Sequence, residues 1–179
     1  MRSPFRVVSR RTIYQGRVIK LIQETLLLRS RRVIRETVLH PGAVVIIPMV
    51  DRSHVVLIRQ YRRSINRYLL ELPAGTLDKK ESRMACARRE LEEETGWQAR
   101  RLRRLGQFYA APGFVSEQMT VFLAEGLTKA EAHPEPDELL TPVVVSLRSA
   151  LAKIRSGAIC DAKTIIGVLW AAELMRSGR

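Results

Sequence analysis

Residues 82–96, SRMACARRELEEETG, constrain the fold more than any other stretch. Helix formers fill the segment, and Gly96 supplies a C-terminal stop, so the pattern predicts a helix over Ser82–Thr95. Glu90, Glu93 and Glu94 stand at i, i+3 and i+4 and share one face, while Met84, Ala87, Leu91 and Thr95 occupy another that can pack. Like charges at this spacing cost a helix about 0.2–0.5 kcal/mol per pair. They also crowd toward the C-terminal end, where the helix dipole disfavours anions. Arg88 and Arg89 offset part of that cost. A bound divalent cation would offset more, and all-oxygen ligands favour Mg²⁺ or Mn²⁺ over Zn²⁺. A solvated acidic face with salt bridges is the plainer alternative.

The rest of the chain sets the context for this helix. It has 179 residues, 46% apolar and 27% charged, which suits one domain with a small appended element. Two cysteines, Cys86 and Cys160, make neither a disulfide framework nor a cysteine zinc site, so a reducing compartment, the cytoplasm, is expected. His40, His54 and His133 are scattered and form no triad. The longest apolar run, Ala43–Val50, is too short to span a bilayer. The first dozen residues, rich in Arg and Ser, faintly resemble a transit peptide, but Val7, Val8 and Ile13 read as structure.

Net charge is +13, and the excess is uneven. Residues 1–70 hold only Glu24, Glu36 and Asp51 as acids, and acids then cluster at 90–94 and 131–138. Such a balance fits an Arg-rich surface or a positive field steering an anionic substrate. Aromatic residues are only 6%, with no basic stripe carrying interleaved rings, so nucleic acid is not the expected partner.

Alternation and breakers predict short strands at Thr12–Tyr14, Val18–Leu28 and Val33–Leu39, a break at Pro41-Gly42, and a buried strand from Ala43. A turn at Asp51–Ser53 leads to a partner strand, His54–Gln60. Further strands are predicted at Tyr68–Leu72, Leu105–Tyr109, Met119–Ala124 and Pro142–Leu147, and helices at Ser149–Arg155 and Thr164–Arg176. Residues 125–138 read as an acidic loop.

The wider spacing around the carboxylate helix adds a family. Gly75, five residues, Glu81, seven residues, Arg89-Glu90-Leu91, one residue, Glu93-Glu94, one residue, Gly96-Trp97 resembles the Nudix box, with every defined position filled. Ile58–Arg62, Glu71–Gly75, Ala111–Phe114 with Glu117, His40–Val44 and Asp161–Thr164 resemble the ADP-ribose pyrophosphatase branch. The likeness runs from about Thr12 to the C-terminus.

The resemblance implies a Nudix fold, an α/β/α sandwich around a mixed β-sheet. It implies a β-rich dimerisation element over residues 1–42 and a hydrolase domain over 43–179. It implies a homodimer and Mg²⁺-dependent cleavage of a nucleoside diphosphate sugar, with ADP-ribose giving AMP and ribose 5-phosphate. GDP-mannose and the 5′ end of RNA are the alternative substrates. Two or three ions would sit on Glu90, Glu94 and Glu93, with the Ala74 carbonyl as a further ligand. Glu81 and Arg89 match bracing positions. Glu138 is the first candidate for the base, ahead of Glu135, with Glu93 as the alternative within the box. Arg62 and Arg63 are candidates for a substrate phosphate, since a guanidinium fork suits phosphate oxygens. Pro112 and Glu117 are further substrate-side candidates.

Overall fold

The computed structural model describes residues 3–77, 80–133 and 139–177. They fall into two compact units.

The first unit runs to Gly42 and also takes in Tyr109–Gln118, a segment that the sequence pattern places in the hydrolase domain. It is an antiparallel meander of β1 (Phe5–Gln15), β2 (Lys20–Leu28) and β3 (Arg31–Leu39). β1 begins well before the predicted Thr12. Its leading residues pair with β2 out to Phe5↔Leu28, and they are largely exposed. Segment 109–118 joins β3 through the Val38 amide on the Phe114 carbonyl (2.8 Å) and the Ser116 amide on the Val38 carbonyl (2.9 Å).

The second unit is the α/β/α sandwich. Its mixed sheet has the order β7 (Ala74–Thr76), β4 (Ala43–Pro48), β9 (Gln118–Lys129), β8 (Trp97–Tyr109). β4 runs parallel to β9 and antiparallel to β7. A second antiparallel sheet has the order β10 (Leu140–Ser146), β5 (His54–Arg62), β6 (Arg67–Glu71). The helices are α1 (Arg83–Thr95), α2 (Leu147–Arg155) and α3 (Ala162–Ser177).

β4 is apolar throughout because both of its faces are covered, and the pleat sends alternate residues to opposite sides. Val44 and Ile46 join Cys86, Ala87 and Leu91 of α1 in one core. Val45 and Ile47 join Leu147, Ala150, Val168 and Ala171 of α2 and α3 in the other. β9 alternates likewise, with Phe122 and Ala124 on the α1 side and Val121 and Leu123 on the other.

As with β1, β8 and β9 run well past expectation. β8 starts at Trp97 rather than Leu105, because Ala99 and Leu102 turn inward while Arg100 and Arg101 between them stay exposed. β9 continues past Ala124 to Lys129, into part of the region read as loop. Lys129 Nζ lies 3.9 Å above the Trp97 ring, which packs against the α1 core as a structural residue.

Candidate active site

α1 is set by its ends. Ser82 caps it, its hydroxyl accepting from the Ala85 amide (3.1 Å). Gly96 closes it in the left-handed region (φ 65°) with its amide on the Glu92 carbonyl (2.8 Å). A Cβ at Gly96 would also come within 3.2 Å of the Ala130 carbonyl oxygen, so both conformation and space call for glycine.

Between these ends the carboxylates take distinct places. Glu94 is almost fully buried, and its Oε2 accepts the Ala74 amide at 2.9 Å. Glu90 lies over Gly75 of β7, so close that a Cβ there would stand 1.9 Å from its Cδ and Oε1. Glu93 is one-third exposed, and its Oε2 accepts from Arg89 Nη1 at 2.7 Å. The start of β7, Ala74-Gly75, is therefore fitted to two helix carboxylates.

Arg89 is the counter-charge. Its Nε and Nη2 fork onto Glu81 (3.3 and 2.8 Å), and Nη2 also lies 2.8 Å from Glu90 Oε1. The hydrogen bond to Glu81, followed by the charges of Glu90 and Glu93, holds the guanidinium even more firmly protonated than usual. Arg88 does not share this task, because its Nη1 donates to the Ala99 carbonyl on β8 (3.0 Å). Burial first, then the nearby Glu81 carboxylate, pushes the Cys86 thiol up to about 12, which removes it as a nucleophile.

Three carboxylates, Glu81, Glu90 and Glu93, thus surround one guanidinium, and a fourth, Glu94, faces the Ala74 amide. The donor set is all oxygen, and one donor occupies a cradle that only glycine leaves open, so the residues fit a hard divalent cation. Among the described residues, no three acidic, His or Cys side chains already converge into a closed metal cage.

The remaining candidates are placed as follows. Arg62 forks onto Glu71, Nε to Oε1 at 2.9 Å and Nη2 to Oε2 at 2.7 Å. That hydrogen bonding is the main reason its guanidinium is held charged, and Glu94 adds to the same field. Arg63 sits exposed on the β5–β6 turn. Pro112 and Glu117 belong to the first unit, where Pro112 is exposed and Glu117 Oε1 lies 3.6 Å from His40 Nδ1. Glu135 and Glu138 lie outside the described residues.

One constellation had no role in the sequence pattern. Glu71 at the end of β6 is 1% exposed, yet it carries Arg62 and also bonds Lys163 of α3, itself 7% exposed. The clue was a glutamate inside the otherwise apolar run Tyr68–Leu72 and a lysine two residues after Asp161.

The NUDIX domain family matches residues 39–164, well over half of the chain. The ADP-ribose pyrophosphatase of Bacillus subtilis (strain 168) is 37% identical over 166 residues, covering 91% of this chain and 90% of that one. The methanol dehydrogenase activator of Bacillus methanolicus is 38% identical over 159 residues, covering 87% and 86%. The GDP-mannose pyrophosphatase of Citrobacter koseri (strain ATCC BAA-895 / CDC 4225-83 / SGSC4696) is 35% identical over 134 residues, covering 70% of each. A crystal structure of an ADP compounds hydrolase superposes with a TM-score of 0.87 at 25% identity, over 97% of this chain and 95% of that one. With the box intact on its loop and helix, and relatives matched over nearly the whole length, the chain belongs to the Nudix hydrolase family, in the branch that contains the ADP-ribose pyrophosphatases.

Proposed function

We propose that this Nudix pyrophosphatase hydrolyses ADP-ribose to AMP and ribose 5-phosphate, using Mg²⁺ or Mn²⁺. The observation that carries the reading is the pairing of Glu90 with the Gly75 cradle and of Glu94 with the Ala74 amide. The Bacillus subtilis relative, named for this substrate and matched over about nine-tenths of both chains, supports it.

Glu90, Glu93 and Glu94 would hold the cations, with the Ala74 carbonyl beside them. When bound, the cations neutralise a diphosphate and make water acidic enough to attack near neutral pH. The chain's own residues do the rest. The Ala74 amide fixes Glu94, and the Glu81–Arg89 fork fixes the near end of α1. The Arg62 fork leaves its Nη1 edge to meet a phosphate oxygen. Water adds to one phosphorus, and the bridging oxygen departs with the other phosphate. Glu93, accessible on the helix face, is the candidate among the described residues to take the water proton. Glu138 is the candidate from the acidic loop.

The test is a substrate panel of ADP-ribose, GDP-mannose, ADP-glucose and triphosphate-ended RNA, each with Mg²⁺ and with chelator. ADP-ribose is expected to turn over fastest and to fall to background with chelator. Faster turnover of GDP-mannose would keep the chemistry and replace the substrate, a reading favoured by the Citrobacter koseri relative.

Homodimerisation through the first unit belongs to the same proposal. Its sheet exposes Val7, Val8, Ile13, Tyr14 and Ile34, an apolar set larger than a solvated sheet needs. Light scattering should give twice the 20.4 kDa chain mass at micromolar concentration. A monomer would remove any site shared between subunits. Among the described residues no helix is long and apolar enough to cross a membrane.

A further inference from the structure

We infer that Glu71, held from behind by Lys163 and Asp161, is a positioning residue that aims the Arg62 guanidinium at the substrate diphosphate. The inference rests on the reading above that Arg62 meets a phosphate.

The set is assembled from three places far apart in sequence. Glu71 closes β6, Arg62 ends β5, and Asp161 and Lys163 begin α3. Lys163 Nζ bonds Glu71 Oε2 and lies 3.0 Å from Asp161 Oδ2. Asp161 Oδ2 also accepts from the Thr164 amide (3.0 Å) and hydroxyl (2.6 Å), and the Thr164 hydroxyl oxygen accepts the Leu72 amide (2.8 Å). One chain of bonds therefore pins the backbone just before β7, as well as the Glu71 carboxylate.

Stability alone does not explain such an arrangement. Buried ion pairs often contribute no more than an apolar replacement, since desolvation cancels the attraction. Burial pushes the Glu71 carboxyl up, yet the Arg62 hydrogen bonds and the Lys163 and Arg62 charges outweigh it and leave the group below its usual range. Of the Glu71–Lys163–Arg62 set, only Arg62 reaches solvent substantially, at 36% of its side chain. A fork engaged at Nε and Nη2 cannot swing freely, so the outward edge of Arg62 has one direction. The Glu94 charge acting on Arg62 places that guanidinium in the field of the carboxylate helix.

The test is a double-mutant cycle in ADP-ribose hydrolysis with Arg62→Ala, Glu71→Gln and the double variant. Each single change is expected to raise KM about tenfold, the size of one lost charge-assisted contact, while kcat stays within about threefold. The double variant is expected to be no worse than Arg62→Ala alone. If Glu71→Gln does not fold, Glu71→Asp keeps the charge, withdraws the carboxylate by one methylene, and should show the same KM shift. An unmoved KM in a folded Glu71 variant, or penalties that multiply in the double variant, overturns the inference while the wild type remains active. A wild type silent on the whole panel overturns the substrate reading first, and this inference with it.

Discussion

Glu94→Gln should lose roughly a thousandfold in kcat, about 4 kcal/mol of barrier, while keeping its fold. The observed hydrogen bond of this side chain can be separated from its proposed part in holding the cation. Its Oε2 accepts the Ala74 amide, and a glutamine carbonyl can accept the same bond. Its charge is what glutamine cannot supply. The melting temperature should therefore stay close to wild type while turnover of ADP-ribose collapses at saturating Mg²⁺. A variant with wild-type kcat would end the assignment of the metal-binding face to this helix. A variant that is inactive because it has unfolded would show Glu94 to be mainly a packing and hydrogen-bonding residue.

Gly75→Ala should cost about a hundredfold in activity with little change in stability. The new methyl would stand 1.9 Å from the Cδ and Oε1 of Glu90, so that carboxylate must swing away. It is the far end of a flexible side chain, and moving it disturbs the fold little. Displacing a catalytic group by an ångström or so typically costs on the order of a hundredfold. Kinetics paired with a thermal melt would check both halves. Full activity in Gly75→Ala would mean that Glu90 works from a position other than the one over Gly75.

Local order in the sequence made α1 and β4 legible. The helix has its cap, its stop and a fixed spacing of charges within fifteen residues, and β4 is an unbroken apolar run because both faces are covered. The Glu81–Arg89 fork spans eight residues across a helix start, and the family resemblance, not helix periodicity, pointed to it. The Arg-rich beginnings of β1 and β8 were not legible. Their inward positions are small, few or absent, and the exposed arginines between them mask the alternation. β7 has only three residues, too short for any period. The Glu71–Lys163 contact joins positions 92 residues apart, and nothing local to either residue announces the other. The distribution of charge misled in a smaller way. Arg88 and Arg89 look equivalent in sequence, yet the helix turn sends one to the β8 backbone and the other into the carboxylates.

The alternation along β4 has a consequence for how relatives of this chain can diverge. Val44 and Ile46 answer to α1, whereas Val45 and Ile47 answer to α2 and α3. A change of volume at one parity asks for repacking on one side of the sheet only. The bed beneath the carboxylates and the layer behind it can therefore drift as two separate ledgers of substitution. Substitutions at adjacent β4 positions are then expected to be compensated on opposite sides of the sheet, and those two apart on the same side.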